Sequence, residues 1–528
     1  MRKTTATASL LAAAFLLAGC EGDDGVDGTD GADGQDGFNS LVATREIAKG
    51  DADCPGGGLA LDSGLDTNRN DELDPSEVTA TELLECATAP QLRALHASPD
   101  APAVNILVNG QAALSEVDYT GGSGFLPVAE TTTVQVEAII PGGNAIVIDE
   151  TLDLDFSTDY TVIAVGDVAA PIGPLVIANP TDQALTPGSF FAQVVHAAPD
   201  APPVDVYVTT PGADLAASAP ISMAPLAYQD VSDRLEVPAG TYQIRVTLAG
   251  DTSSVVFDSG ELDLAADAEL LIAAVENTGP GATPIQLVVL DGTGAADLLD
   301  ANTPAAVTAV HASPDAPPVD ILADDTSTAN DEALPLAVDY SFTEFCEIGA
   351  VPAPGDYTVS VVANADNSVV ATDFPFTAEQ GAEATAIVTG FLSSGTPAIQ
   401  PLALATDTRS VFTEAKLRVI HGSPSTGDVD LYLLADGTNL NDASVTPSFA
   451  AVPFGADTGI LSIAPGIYDV YVTPAGDKSV VAIEIADATF NGGEVIDVIA
   501  RDPATDGSEG ALPLPLVIDY AAVPACAT

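Results

Sequence analysis

From residue 91 onward, apolar residues recur at every second position in short runs, and the runs end in Pro, Gly, Asn or Asp. A period of two turns one face of an extended segment toward a core and the other toward water, so the pattern predicts strand after strand. Leu92 and Ala94 share a face with His96 in this way, as do Ala192 and Val194 with His196, Val307 and Ala309 with His311, and Leu417 and Val419 with His421. A second strand follows each, as in Val204-Asp205-Val206-Tyr207-Val208. Later in three of the units a proline-glycine turn feeds another alternating strand: Val237-Pro238-Ala239-Gly240-Thr241-Tyr242, Ala353-Pro354-Gly355-Asp356-Tyr357 and Ala464-Pro465-Gly466-Ile467-Tyr468. The same place in the first unit reads Val128-Ala129-Glu130-Thr131-Thr132-Thr133-Val134, without proline, glycine or tyrosine.

The four histidines are all the chain has, and they stand 100, 115 and 110 residues apart within one recurring phrase. Its copies are LRALHASPDAPAVNILV, AQVVHAAPDAPPVDVYV, VTAVHASPDAPPVDILA and LRVIHGSPSTGDVDLYL. A proline follows each histidine by three residues, and Asn105, Asp205, Asp320 or Asp430 by nine. A period near 110 means whole domains in tandem, since solenoid repeats run to about 20–50 residues. Short strands with frequent turns in units of that size predict an all-β chain of four Ig-like β-sandwiches over 91–188, 189–302, 303–412 and 413–528. The tyrosine after each turn corresponds, by analogy, to the tyrosine corner of such sandwiches. In the fourth copy Ser425-Thr426-Gly427 replaces Asp-Ala-Pro, so its first loop is expected to turn differently.

Composition sharpens this picture. With 77 acids against 13 bases the formal net charge is −64, which repels nucleic acid and anionic lipid headgroups. Such a charge strains the compact state, and salt or bound cations relieve it. Yet 47% of residues are hydrophobic and only 17% charged, which leaves ample apolar surface for cores. The absence of tryptophan and the 5% aromatic content weaken the case for stacking platforms that hold sugars.

Ahead of the repeats come three shorter segments. Residues 1–20, MRKTTATASLLAAAFLLAGC, have a basic start and an apolar stretch too short to span a bilayer, the form of an export signal. Residues 21–38 carry glycine at every third place from Gly22 to Gly37, a collagen-like period without proline and with Asp in nearly every triplet. Self-repulsion and the missing proline favour an extended acidic tether over a triple helix. In the compact module 39–90, oxygen-bearing residues fall at calcium-loop spacing: Asp66, Asn68 and Asn70 at positions one, three and five, Glu72 at seven for its carbonyl, Glu77 at twelve, with apolar Leu73 at eight. Asp71 takes the sixth place, where a glycine is usual; Asp tolerates positive φ better than most residues. The segment Pro75 to Leu84 is expected to open a helix, with one Ca2+ held in the loop; a solvated acidic turn is the alternative. Cys54 and Cys86 bracket this module and pair most plausibly with each other, leaving Cys346 and Cys526 as a possible bridge, one of three pairings that four cysteines allow.

Leu17-Ala18-Gly19-Cys20 resembles the lipobox of bacterial lipoproteins, which implies cleavage before Cys20 and acylation there, hence a lipid anchor in the membrane. Glu21 next to it favours the outer membrane or cell surface over inner-membrane retention. The His-Ala-Ser/Ala-Pro-Asp-Ala-Pro-x-Val-Asp opening with the later Pro-Ala-Gly-x-Tyr turn resembles the bacterial family catalogued as domain of unknown function 4397. That resemblance covers nearly everything from residue 91 and implies exported Ig-like sandwiches in tandem, with no activity attached. Residues 39–90 also resemble a small module found after collagen-like tethers in bacterial lipoproteins.

A histidine with a downstream Asp, as in His196 and Asp205, has the chemistry of a metal pair or an acid–base dyad. Catalysis further needs a third group and an oxyanion donor, and the sequence has no G-x-S-x-G, H-E-x-x-H or phosphate loop. The expected role is therefore structural: each histidine points inward at the end of an edge strand and fixes the proline loop by hydrogen bonding. These readings predict a non-catalytic, anchored, structural or adhesive surface protein; the alternative is a binder of extracellular polysaccharide or peptide.

Overall fold

The computed structural model describes residues 37–170, 172–325, 334–393, 396–505 and 507–527, and among these the regular structure is strand apart from two short 3-10 turns. The leader, Cys20 and the tether up to Asp36 lie outside the described residues. The chain divides into two compact units, with the boundary between Cys86 and Ala87.

In the first unit three antiparallel strands, Asn39–Ile47, Gly58–Asp66 and Val78–Cys86, form one sheet. The expected helix over Pro75 to Leu84 is therefore a tight turn followed by a strand. Tertiary pairing decides it: Val78, Thr79 and Thr81 suit a pleated surface, and Asp62 on the middle strand binds both Arg45 at 2.7 Å and the Thr81 hydroxyl at 2.7 Å, stitching all three strands. Gly64 lets the middle strand approach closely, since a Cβ there would lie 1.9 Å from the Glu77 carbonyl oxygen. The core holds little beyond Ile47, Cys54, Ala60 and Cys86, and the Cys54–Cys86 disulfide crosses it.

The second unit contains paired sheets in each repeat. In the first, third and fourth repeats two four-stranded sheets face each other; in the second a five-stranded sheet faces a three-stranded one. The histidine strands are Gln91–Ala97, Ser189–His196, Ala305–His311 and Ala415–His421. Each has a parallel neighbour on one side (Thr158–Val165, Glu269–Glu276, Glu383–Thr389, Val495–Arg501) and an antiparallel segment on the other. The histidines thus sit on interior strands, not edge strands as expected.

These strands are also buried on both faces. Leu92 and Ala94 point into their own sandwich against Val104, Ile106, Val134 and Val136. Leu95 and Ala97, one residue out of phase, point the other way and pack with Val195, Ala197, Leu271 and Ala273 of the second repeat. Val310, Ala312 and Ile387 of the third repeat meet Ile420, Ile499 and Ile518 of the fourth in the same manner. The repeats are therefore fused sheet to sheet in pairs, each pair sharing an apolar layer that a string of separate beads would leave exposed. The C-terminal tail returns to the third repeat, where Cys526 is disulfide-bonded to Cys346 and the Glu347 amide donates to the Pro524 carbonyl at 2.8 Å.

Candidate functional site

Each recurring histidine sits at the centre of a bracket. Nε2 of His96, His196, His311 and His421 faces the carbonyl oxygen six residues on, of Pro102, Pro202, Pro317 and Gly427, at 3.0–3.2 Å. A carbonyl only accepts, so Nε2 donates and Nδ1 is left as the acceptor; it takes the amide of Ser98 in the first repeat and of Ala198 in the second. Burial holds all four imidazoles below their ordinary pKa and therefore neutral. A returning loop closes the bracket from the other side: the histidine amide donates to Gly121, Asp230, Glu344 or Ala456, and its carbonyl accepts from Thr120, Gln229, Thr343 or Gly455. The four residues that donate to the carbonyl all have φ between 67° and 82°, and in three repeats the aromatic just before them, Tyr119, Phe342 or Phe454, meets the imidazole edge to face. The fourth repeat keeps this geometry, with Gly427 in place of proline. The expected difference in its loop is confined to polarity: in the first and third repeats Asp100 and Asp315 reach across to loop amides, whereas Ser425 receives a carboxylate, Asp502, from the far side.

The Asp nine residues after each histidine is hydrogen-bonded elsewhere. Asp205 accepts from the Gly250 amide at 2.7 Å, and Asp430 from Gly476 and Ala451, both at 2.8 Å. Asp320 accepts from Asp339 at 2.8 Å, and Asn105 from Glu116 at 3.1 Å while donating to Glu137. Glu116, Asp339 and Ala451 have φ of 51–55° and lie at register shifts, so the residue pins a bulge in the neighbouring strand. These bonds give His–Asp chemistry no dyad to work with, and they explain why Asn105 serves where the siblings have Asp.

Several of the scarce bases lie at the seams between repeats. Arg93, fully buried, donates to the Thr161 hydroxyl at 2.9 Å and to the Leu290 carbonyl of the second repeat at 3.3 Å, and lies 4.4 Å over the Phe125 ring. Burial pushes its guanidinium down to about 10. Arg418 forms a two-pronged pair with Asp497 at 2.9 and 2.6 Å and reaches Thr385 and Thr406 of the third repeat. Arg409 ties the third repeat's end to the first, donating to the Pro99 and Ala101 carbonyls and pairing with Asp118 at 2.5 Å.

Beside Arg409 the repeats enclose a polar cleft of about 520 Å3, walled by Asp118 and Tyr119 of the first, Asn277 and Asp297 of the second, and Gln380 and Glu383 of the third. A further hollow of about 490 Å3 shares Gly279, Pro280 and Glu383 with it. Burial raises the carboxyls of Asp297 and Glu383. The cleft presents amides, hydroxyls and carboxyls, a lining suited to a polar ligand.

In the first unit the loop after Asp66 is drawn tight by its own oxygens. Asp66, 1% exposed, and Asn68 both accept from the Asn70 amide, at 3.1 and 3.0 Å, and Asn70 accepts from the Glu72 amide at 2.9 Å. Asp71 adopts φ 60°, the conformation expected of the usual glycine. Buried Glu77 closes the loop, accepting from the Thr67 hydroxyl and amide, both at 2.7 Å, and from Asn68 and Asp74; the Thr67 hydroxyl above all holds its carboxyl below the usual range. The donors are oxygens throughout, which suits a hard cation, and the shared convergence on Asn70 places Asp66 and Asn68 side by side. Glu77 would have to exchange these hydrogen bonds for metal. Among the described residues no group of three or more His, Cys, Asp or Glu is arranged to hold a metal ion.

Two family models match parts of this chain. Domain of unknown function (DUF4397) matches residues 90–207 and 305–432, which begin at the first and third histidine strands. The two matched regions are consistent with tandem repeats of that domain. Residues 39–84 match a second family, Domain of unknown function (DUF7151). A search among curated proteins found no significant match. Ten solved chains match; one, the Bacillus anthracis TIE protein, is 11% identical over 89% of this chain and 75% of that chain, with a TM-score of 0.15, too low to carry an argument.

In the repeats, sequence reasoning missed two sets of residues. The aromatic lids Tyr119, Phe342 and Phe454 follow their histidines at variable distance, 23 to 33 residues, which hides them from a fixed-spacing comparison. Arg93 and Arg418 carried a readable signal: each is a base three residues before the histidine in a largely apolar strand, with Lys416 two residues ahead of Arg418 in the fourth repeat.

Proposed function

We propose that this chain is a non-catalytic envelope or cell-surface protein, lipid-anchored at Cys20, that presents its DUF4397 repeats as one structural or adhesive body. The observation that carries this reading is that the recurrent polar residues are consumed in holding the fold. The histidines bracket loops, Asn105, Asp320 and Asp430 pin bulges, Asp205 holds a turn, and Arg93, Arg409 and Arg418 lock seams. A body with so few bases left over presents an acidic surface suited to a saline or calcium-containing exterior. On this reading the 66–77 loop holds one Ca2+ through Asp66, Asn68, Asn70, the Glu72 carbonyl and Glu77, stiffening a module with little core of its own. Protease shaving of intact cells, followed by mass spectrometry of released peptides, tests the location. Peptides from the repeats are expected from intact cells; their release only after the envelope is opened would refute surface display.

A second reading, capture of an extracellular polysaccharide or peptide, is favoured by the polar cleft at the meeting of three repeats.

A further inference from the structure

Three alanines stand side by side in the third repeat where its siblings carry larger side chains. Strand register on the histidines makes Ala384 the counterpart of Tyr160, Leu270 and Ile496. Ala386, next on the same face, corresponds to Val162, Ile272 and Val498. Ala403 pairs with Ala386 from the adjoining strand, where the siblings supply Val176, Val289 and Val517. The facing sheet does not make up the lost volume. A cavity of about 270 Å3 remains between the sheets, and all of its lining side chains are apolar. It opens between two edge strands, Val369–Ala378 and Gln400–Ala405, where Phe374 and Phe376 are half-buried and Ala403 is exposed.

The lining decides what fits. With no polar side chain in the wall, a hydrogen-bonding group inside would go unsatisfied, so the enclosed part of a ligand is hydrocarbon. An apolar cavity of about 150 Å3 already takes a benzene ring, so this one is large enough for more. Two sheets about 10 Å apart form a slot that suits an unbranched chain lying between them. Pro375 and Pro401 sit on the two strands at the mouth and remove amide donors there, which counts against a partner peptide adding itself as a further strand. The net charge of −64 repels an anionic head. We propose that the third repeat binds the unbranched hydrocarbon tail of an amphiphile with an uncharged or cationic head between its two sheets. Its siblings carry larger side chains at the same three positions.

The test is calorimetric titration of the full chain with 1-decanol, and with decanoate as the anionic comparison. Decanol is expected to saturate at one per chain and to bind more tightly than decanoate. Restoring the fourth repeat's side chains with Ala384→Ile and Ala386→Val should weaken decanol at least tenfold while leaving the melting temperature unchanged or higher. Ala403→Val alone, a milder change at the mouth, should weaken it in the same direction and covers the case in which the double variant folds poorly. Absence of saturable decanol binding by the wild type, or undiminished binding by the filled variants, would overturn the proposal.

Discussion

The 39–86 module and the repeats solve the same problem by opposite means. The module buries Ile47, Cys54 and Ala60 and little else, so its order comes from a disulfide, from the Arg45–Asp62–Thr81 stitch and from Glu77 clamping the loop. The repeats bury their central strands on both faces, and their polar residues serve that burial. What the contrast teaches is that a small sheet exposed on one side depends on covalent or ionic support for its order, whereas doubled sheets draw theirs from shared apolar layers and use polar groups and the Cys346–Cys526 bridge to close loops, seams and the tail.

The largest effect should come from the seam between the third and fourth repeats. Asp497→Ala strands the Arg418 guanidinium in a buried layer and should cost about 3–5 kcal/mol of repeat stability by denaturant unfolding, with the module untouched. A smaller loss would mean that the layer is wet and that the two repeats are less firmly joined. Removing the other region's support, with Cys54→Ser and Cys86→Ser together, should cost about 3–4 kcal/mol in the module alone, from the entropy of the opened loop. A shift in the melting of the repeats as well would break the comparison. Calcium at 100 times its Kd should add about 2.7 kcal/mol to the module, an increment absent in Glu77→Ala. Stability independent of calcium in the wild type would leave the loop as a solvated turn.

The smallest effect concerns a single bracket. His196→Ala should cost about 1–3 kcal/mol because the buried imidazole and its half-buried hydrogen bond to the Pro202 carbonyl are lost together. Burial depresses the folded pKa of this ring, and the unfolded ring gains a proton as pH falls through about 6.5. The unfolded state then binds more protons, so the contribution is present in full above about pH 6.5 and is lost as the pH falls below it. The difference between the wild type and His196→Gln, measured by urea unfolding from pH 8 to pH 5, should shrink over that window. A constant difference would mean that the folded ring titrates normally.

Much of the fold was readable because alternation is a local property. Leu92, Ala94 and His96 declare one inward face by spacing alone, and the proline-glycine turn with its tyrosine declares a corner. In the structure the hydroxyls of Tyr242, Tyr357 and Tyr468 do bond back to the carbonyls of Pro238, Pro352 and Ala464, and in the first repeat Thr132 does so to Ala129. The second face of the same strand misled. Leu95 and Ala97 also looked apolar, yet nothing local distinguishes a strand covered by its own sheet from one covered by the next repeat. Pro75 to Leu84 failed for a similar reason: acids after a turn suit a helix start, and the pairing of Val78–Cys86 with Gly58–Asp66 overrides that preference.

The sequence by itself determined the strands, the repeat, the disulfide candidates and the residues that mark each loop, because spacing, turn chemistry and side-chain volume act over a few neighbours. Only the tertiary structure decided what those marks are for. The same histidine and aspartate fit a dyad or two separate brackets, and their hydrogen bonds chose the brackets. Three alanines in the third repeat are ordinary strand residues until two sheets meet over them, and whether they leave a gap depends on side chains tens of residues away in the chain.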